Sequence, residues 1–345
     1  MIAPWDPETD DTLVCVATRD ETHDVRTFVL SAVEPRRFVY QPGQFMTFAP
    51  VIDGAVVERS YTLSSTPTRP DRVSITVKRQ AGVVSGWLHA NLSPGSRIRA
   101  HGPLGDFTNA DDPRGLKYLF ISGGSGITPL MSMARASHDL AAADDIAFVH
   151  CARTPADVIF YDELRLMARA GTLHPTMVVE TATGFWPGYV GRMSLPMLRL
   201  IAPDLMERDV LCCGPAPFMA AIRAMLTEAG HPPTRYRQES FDFSTLIESA
   251  PPIAATETAT WQIAFTRSGV TAECDAQTTV LVAARRAGIA MQSGCTHGLC
   301  GTCKSKLTAG TVEMNHQGGI RKREIDAGLF LPCCSTPTSD IAIDR

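Results

Sequence analysis

The chain has 345 residues, of which 44% are hydrophobic and 20% are charged, and this composition and length predict a globular protein of two or three domains. Its formal net charge of −4 leaves no basic stripe for nucleic acid, and no apolar run reaches the roughly 18 to 20 residues that a membrane helix needs. The acidic opening around Asp6 and Glu8 is unlike a secretory signal, so we expect a cytoplasmic protein without a membrane segment.

The first part of the chain has the pattern of a small antiparallel β-barrel. From Leu13 to about Pro103, short apolar runs such as 45–48 and 73–77 alternate with turn residues, and Pro-Gly pairs stand at 42–43 and 94–95. Several short strands separated by such turns favour an all-β fold. We therefore predict an antiparallel barrel for residues 1–110.

A short motif follows one of these strands. Arg59-Ser60-Tyr61-Thr62 resembles the R-x-Y-[ST] signature of the ferredoxin reductase superfamily, whose barrel domain binds flavin. Arg59 can pair with a flavin phosphate, the Tyr61 ring can face the isoalloxazine, and the Thr62 hydroxyl can lie near the ring nitrogen that accepts hydride. Taken singly, Arg59 and Tyr61 are better explained as a surface charge and a sheet aromatic.

Two later motifs, in the order that the superfamily has them, favour the flavin interpretation. Gly82-Val83-Val84-Ser85 resembles its G-x-x-S turn, in which backbone donors and the Ser85 hydroxyl meet a pyrophosphate, and residues 102–107 resemble its G-P-x-G-x-F segment. The resemblance also implies cofactor contacts for Lys78 and Val84. Residues 85–89, S-G-W-L-H, resemble the helix start of FAD-using members, so we expect FAD. FMN, used by relatives of the phthalate dioxygenase reductase type, is the alternative.

From Tyr118 the pattern changes to short apolar runs alternating with helical stretches. The runs at 146–150, 177–179 and 210–212 each have the length of a strand. Alternation of strands and helices predicts a parallel sheet, and hence an α/β nucleotide domain over residues 111–241.

A glycine-rich turn follows the first strand of this domain. The run from Gly123 to Pro129, G-G-S-G-I-T-P, places bare backbone N–H groups and a helix N-terminus where they could bind a pyrophosphate. It resembles the nucleotide signature of the same superfamily and differs from the Rossmann G-x-G-x-x-G fingerprint. The resemblance implies that Gly123, Gly124, Gly126, Thr128 and Pro129 contact the nicotinamide nucleotide.

Three further positions are predicted to lie near the nucleotide or the flavin. Cys213-Gly214-Pro215 resembles the C-G-P motif, whose cysteine lies near the nicotinamide carbon that gives up hydride, while Cys212 is expected in the core. Arg153 stands where the family contacts the adenosine ribose; without further basic partners we expect NADH, with NADPH as the alternative. Glu239-Ser240-Phe241 resembles the carboxylate and aromatic that reach the flavin edge, although a solvated Glu239 is a competing interpretation.

The segment after the nucleotide domain has the composition of a linker. Residues 242–258 contain S-A-P-P followed by Ala, Thr and Glu, without sustained periodicity. Beyond it, 261–266 is predicted to be a strand and 278–288 a short helix. The basic run Arg321-Lys322-Arg323 is expected to be a solvated face, and the alternative is that it steers an acidic partner.

Five of the ten cysteines lie after residue 294, and four of these have the spacing of a plant-type [2Fe-2S] ferredoxin. The pattern is Cys295-x4-Cys300-x2-Cys303, with 29 residues between Cys303 and Cys333. The loop S-G-C-T-H-G-L-C-G-T-C resembles the ferredoxin cluster loop, and the resemblance places the fourth ligand at Cys333 rather than Cys334. Zinc-binding cysteines and a Rieske centre are alternatives, but no C-x-x-H follows to complete a Rieske site.

The resemblance covers nearly the whole chain and predicts a multidomain α+β protein. It consists of an FAD-binding barrel (1–110), an NAD-binding domain (111–241), a linker (242–258) and a β-grasp ferredoxin domain (259–345). The module order resembles that of the reductase components of Rieske-type oxygenases, which implies electron transfer from NADH through FAD and the [2Fe-2S] cluster to a partner protein. The alternatives are a reductase of the hybrid-cluster protein or of a small acceptor, and a non-catalytic redox sensor.

Overall fold

A computed structural model describes residues 2–7, 9–80, 83–113, 115–240, 260–289, 291, 298, 301 and 303–345. The chain divides into two units, Met1–Val57 with Tyr61–Phe241, and Glu58–Ser60 with Asp242–Arg345. The predicted linker lies outside the described residues. Within the described residues no helix is both long and apolar enough to cross a lipid bilayer. None of the eight cysteines described there forms a disulfide.

The barrel predicted for the first part of the chain is confirmed as a curled antiparallel sheet with strand order β6-β3-β8-β1-β2-β7. A bridge between Leu63, which directly follows β6, and Ile75 of β7 links the two outer strands. Alternate residues of β2, including Phe28 and Leu30, are fully buried, because one face of each strand lines the core. The elements are β1 (Thr12–Asp20), β2 (Val25–Ala32), β3 (Phe45–Phe48), β4 (Val51–Ile52), β5 (Ala55–Val56), β6 (Arg59–Thr62), β7 (Val73–Lys78), α1 (Val83–Asn91) and β8 (Arg97–Leu104).

The nucleotide domain is built on a parallel sheet with strand order β12-β11-β10-β9-β13-β14. Its central strand β9 is buried along most of its length, as both faces are covered by helices. The chain leaves β9 towards β10 on one side and returns to β13 on the other, so the carboxyl end of β9 is a topological switch point. The elements are β9 (Lys117–Gly123), α2 (Ile127–Asp139), β10 (Asp145–Ala152), α3 (Tyr161–Arg169), β11 (His174–Val179), β12 (Tyr189–Val190), α4 (Leu195–Ile201), β13 (Asp209–Gly214), α5 (Ala216–Ala229) and β14 (Tyr236–Ser240).

The barrel and the nucleotide domain share part of one core. Val25 and Phe107 from the barrel pack in the same buried cluster as Phe120, Ile127 and Met133 of the nucleotide domain. Because apolar side chains from both parts are removed from water together, the first unit is held as one body around this cluster.

The second unit contains the β-grasp domain. Its five-stranded sheet has the order β16-β15-β21-β17-β19, in which β15 and β21 are parallel and the other neighbouring strands are antiparallel. Helix α6 packs its buried Val280 and Leu281 in one cluster with Ile263 and Phe265. The elements are β15 (Thr260–Phe265), β16 (Val270–Asp275), α6 (Val280–Arg286), β17 (Ser305–Ala309), β18 (Val312–Met314), α7 (Lys322–Asp326), β19 (Leu329–Phe330), β20 (Ser335–Pro337) and β21 (Ile341–Ile343).

Candidate functional site

The glycine-rich turn lies directly against the carboxyl end of β13. A Cβ atom on Gly126 would stand 2.3 Å from the carbonyl oxygen of Cys213 and 2.6 Å from the amide nitrogen of Gly214, so only glycine allows this approach. Gly124 has a φ of +53° and nothing described within 4 Å of where a Cβ would lie. The turn therefore presents open backbone next to the N-terminus of α2, an arrangement suited to an anion.

Thr128 and Pro129 are buried residues that support this turn. The Thr128 hydroxyl donates to the carbonyl of Ser125 at 3.1 Å, and both Thr128 and Pro129 are buried. Gly123 lies against the ring of Phe218, whose nearest atom would be 3.0 Å from an added Cβ. Of the five positions predicted for the nucleotide loop, Gly124 is thus the one with open space beside it, and the others hold the loop in place.

Cys213 and Glu239 are neighbours in register on β13 and β14. Cys213 is completely buried, and this burial, helped by the nearby Glu239 carboxylate, raises the pKa of its thiol well above the ordinary value. The thiol is therefore neutral at physiological pH and is not a nucleophile. Cys212 packs in a different apolar cluster, with Met219 and Ile222, as predicted for a core residue.

Glu239 is half-buried as a residue, but its Oε2 atom is shielded from solvent and has no hydrogen-bond partner among the described residues. Burial, with a smaller contribution from the Asp106 carboxylate, raises the pKa of Glu239 to about 8. This carboxyl group therefore keeps its proton at neutral pH. Phe241, predicted beside it, lies outside the described residues.

The residues of the R-x-Y-T motif lie on β6. Thr62 is 5% exposed, and its Oγ1 is a buried hydroxyl without a hydrogen-bond partner in the described part of the chain. Tyr61 is half-buried with its ring 6.2 Å from that of Phe48. Arg59 donates to the carbonyl of Glu58 at 2.7 Å, and Ser60 is half-buried. A buried hydroxyl left unpaired costs about 1–3 kcal/mol, so Thr62 fits a site that a polar ligand completes.

Charged residues from the barrel and the nucleotide domain form one cluster near the carboxyl end of β10. Lys78 lies 3.1 Å from Asp24, and Arg153 lies 3.8 Å from Asp24 and 3.6 Å from Asp157. Burial raises the pKa of Asp24, but hydrogen bonds from Lys78 and Thr22 outweigh it and lower the pKa overall. Both predicted basic contacts are thus already partly neutralised. No sequence motif indicates Asp24.

The G-x-x-S turn is described only in part, because Gly82 lies outside the described residues. Val84 is buried in the barrel core, and the Ser85 hydroxyl lies 3.3 Å from the amide nitrogen of Gln80 and 3.4 Å from its carbonyl oxygen. The Ser85 hydroxyl thus bonds to the backbone at the start of the same turn. Val84 serves packing in this structure, which leaves the backbone and the Ser85 hydroxyl as the groups that could face a pyrophosphate.

Two of the four predicted cluster ligands can be placed, whereas Cys295 and Cys300 lie outside the described residues. Cys303 and Cys333 are both buried, and hydrogen bonds from the Cys303 and Cys334 thiols and from the Gly298 N–H lower the pKa of Cys333 well below the usual thiol range. A Cβ on Gly298 would stand 2.6 Å from the Cys334 sulfur. Converging thiols and a backbone N–H with no side chain in the way match the donor set of an iron-sulfur cluster.

Three family models match the chain. Residues 13–109 match an oxidoreductase FAD-binding domain, residues 120–224 an oxidoreductase NAD-binding domain, and residues 263–338 a 2Fe-2S iron-sulfur cluster binding domain. The fold and these domains together define an NAD(P)H-dependent flavoprotein oxidoreductase with a [2Fe-2S] domain.

Similar proteins include two reductase subunits. The glycine betaine monooxygenase reductase subunit of Pseudomonas aeruginosa is 42% identical over 96% of this chain and 94% of its own length. The stachydrine N-demethylase reductase subunit Stc4 of Rhizobium meliloti is 41% identical over 96% of each chain. The chain belongs to the same family of reductases as these two subunits.

The fold of the chain also has a counterpart among solved structures. Phthalate dioxygenase reductase superposes with a TM-score of 0.58 over 99% of this chain and 100% of that chain, at 24% sequence identity. At that level of identity the match shows the fold.

Proposed function

We propose that this protein is the reductase component of a Rieske-type oxygenase system, delivering electrons from NADH to the oxygenase component. The observation that carries the proposal is that one chain combines the open nucleotide turn at Gly124 and Gly126 with the thiol set around Cys303 and Cys333. With a flavin between these two sites, the chain could accept electrons in pairs and release them singly. The names of the two similar reductase subunits support an oxygenase as the recipient.

Bound FAD would supply the chemistry that links a two-electron donor to a one-electron cluster. Arg59 and the Ser85 turn would hold its phosphates, and Tyr61 and Thr62 would contact its ring, where Thr62 gains the partner that its hydroxyl lacks among the described residues. Lys78 would act as an electrostatic partner for a phosphate while it stays paired with Asp24.

The nucleotide would lie along the carboxyl edge of the parallel sheet. The backbone of Gly124 and the N-terminus of α2 would bind the pyrophosphate, and Arg153 would meet the adenosine ribose. The neutral Cys213 thiol would pack beside the nicotinamide and orient it, because its raised pKa prevents nucleophilic attack. Glu239 would hold a proton on its carboxyl group at neutral pH.

The first test is an anaerobic titration of the purified holoenzyme with NADH and, separately, NADPH. Visible absorption reports the flavin, and low-temperature electron paramagnetic resonance reports the cluster. We expect flavin bleaching and a [2Fe-2S] signal at less than one equivalent of NADH. Flavin bleaching without any cluster signal would show that the assigned electron path is wrong.

The fourth ligand can be tested with a matched pair of variants. We expect Cys333→Ser to lose the cluster signal and Cys334→Ser to retain it, because hydrogen bonds from Cys303, Cys334 and Gly298 lower the pKa of the buried Cys333 thiol and favour its thiolate. The reverse result would move the ligand to Cys334.

The partner is tested by reconstitution with the oxygenase component of glycine betaine monooxygenase. We expect NADH oxidation to depend on that component and on its substrate. Rapid NADH oxidation with a small-molecule acceptor, unchanged when the oxygenase component is added, would instead favour a direct reductase.

A further inference from the structure

Two side chains of α2 hold the segment that follows the R-x-Y-T motif. The Ser132 hydroxyl donates to the main-chain carbonyl of Ser65 at 2.5 Å, and the Arg135 guanidinium donates to the carbonyl of Ser64. Ser132 and Ser64 are completely buried, and the Arg135 side chain is only 11% exposed. In this setting each hydrogen bond is costly to lose, since a buried carbonyl left alone is not solvated by water.

The same segment is bonded to the barrel on its other side. The amide of Ser64 donates to the carbonyl of Ser74 at 2.8 Å, and the Ser65 hydroxyl accepts from the Ser74 amide and contacts the Tyr40 hydroxyl, both at 2.9 Å. Ser64 therefore uses its amide and Ser65 its hydroxyl towards the barrel, and both residues use their carbonyls towards the nucleotide domain. The segment is a fixed joint between the two.

Arg135 is itself held in one orientation. Its Nε and Nη2 atoms each donate to a carboxylate oxygen of Glu163 at 2.7 Å, and its guanidinium carbon lies 4.7 Å from the centre of the Phe160 ring. Although burial raises the pKa of Glu163, the hydrogen bonds from Arg135 lower it overall, so the pair is ionised. A planar guanidinium can make all of these contacts at once, whereas a lysine ammonium cannot.

Each side of the joint is close in sequence to one of the two predicted binding motifs. Ser132 is one helical turn after Thr128 at the start of α2, and Ser64 is two residues after Thr62. One rigid turn of α2 therefore connects the nucleotide turn to the joint, and two residues of chain connect the joint to the flavin motif. Any displacement at the joint is transmitted to the relative position of the two motifs.

We propose that Ser132 and Arg135 are positioning residues for hydride transfer, which set the approach of the nicotinamide to the flavin by clamping the carbonyls of Ser64 and Ser65. The proposal rests on the proposed function. Neither residue is assigned a contact with either cofactor, so their loss should affect alignment rather than affinity. Misplacement of reacting groups by about 1 Å can cost about 100-fold in rate.

The test compares Ser132→Ala and Arg135→Lys with a matched control, Arg208→Lys, in the FAD-loaded holoenzyme. Arg208 is 8% exposed and holds Asp145 and Asp204 through its guanidinium, so its replacement should lower stability without touching the joint. Five quantities are measured: FAD content, melting temperature, the Kd for NADH, the long-wavelength charge-transfer absorption between nicotinamide and flavin, and the limiting rate of flavin reduction with 4-deuterated NADH.

We expect Ser132→Ala and Arg135→Lys to lower the limiting rate about tenfold and to weaken the charge-transfer absorption, with FAD content retained and the Kd for NADH within about twofold of wild type. Arg208→Lys should lower the melting temperature and leave the rate unchanged. Wild-type rates in both joint variants would overturn the proposal, as would a rate that falls with melting temperature in all three variants. Failure of NADH to reduce the wild-type flavin would overturn the proposed function as well.

Discussion

The protonation of Glu239 gives a quantitative prediction for Glu239→Gln. Burial raises the pKa of this carboxyl from 4.5 to about 8. Between those pH values the folded protein keeps the proton while the unfolded chain releases it. The contribution of Glu239 to the free energy of unfolding is therefore fully present below pH 4.5 and is lost as the pH rises through about 8. Glutamine cannot ionise, so the stability of the variant does not fall with pH for this reason.

The magnitude follows from the linkage between pKa and stability. Each pH unit in this window lowers the free energy of unfolding of the wild type by about 1.4 kcal/mol. Between pH 6 and pH 8 this would give somewhat over 2 kcal/mol, because ionisation of the folded protein begins near pH 8. Because Glu239 as a residue is only half-buried, solvent screening reduces this to about 1–2 kcal/mol. We therefore expect the melting temperature of Glu239→Gln relative to wild type to rise by about 3–6 °C over that range.

The assay is thermal unfolding of the FAD-loaded proteins at pH 6, 7 and 8 and constant ionic strength. Other groups titrate in both proteins and cancel in the difference. Glu228→Gln, at an exposed position of α5, controls for the loss of one carboxylate elsewhere in the same domain. A wild-type-to-variant difference that stays constant from pH 6 to pH 8 would show that Glu239 is not protonated in the folded protein.

Three further perturbations test the nucleotide domain. Gly126→Ala should weaken NADH binding at least tenfold in an equilibrium titration with FAD content retained, because its Cβ would lie 2.3 Å from the Cys213 carbonyl oxygen. Asp24→Asn should raise kcat/KM for NADPH relative to NADH several-fold at low salt, since it removes one of the two carboxylates that neutralise Arg153 and leaves more positive charge for a 2′-phosphate; an unchanged ratio would place the ribose elsewhere. Arg208→Met should lower the free energy of unfolding by about 2 kcal/mol in urea, since it removes the partner of two carboxylates.

Local periodicity predicted most of the elements because it reflects which face of each element is buried. The strand predicted at 261–266 is found as Thr260–Phe265, and the helix predicted at 278–288 is found as Val280–Arg286. The small differences lie at element ends, where capping and hydrogen bonding decide the boundary. The alternation of strands and helices after residue 118 likewise predicted the parallel sheet that the structure has.

Contacts between distant residues were beyond prediction from the sequence. The bonds from Ser132 to Ser65 and from Arg135 to Ser64 join residues 67 and 71 positions apart, and no motif marks either partner. The expectation of a solvated basic run was wrong at its first residue: Arg321 is 9% exposed and bonded to Glu324, which also accepts from the Arg321 amide. The sequence shows the charge of that arginine but not its capping interaction.

The carboxyl edge of the nucleotide sheet combines neutral buried groups in its interior with ion pairs at its periphery. Burial raises the pKa of the Cys213 thiol and of Glu239, and burial lowers the pKa of His150 to about 3, so each is uncharged at neutral pH. His150 accepts from the Ile159 amide at 3.3 Å, which leaves its Nδ1 proton for the Ser122 hydroxyl at 2.8 Å. The buried groups nearest the proposed nicotinamide position thus act as dipoles, and the ions lie further out. Among the residues that the structure describes, these three buried groups offer no charge to hold a ring that becomes cationic on giving up hydride, which favours release of the oxidised nucleotide.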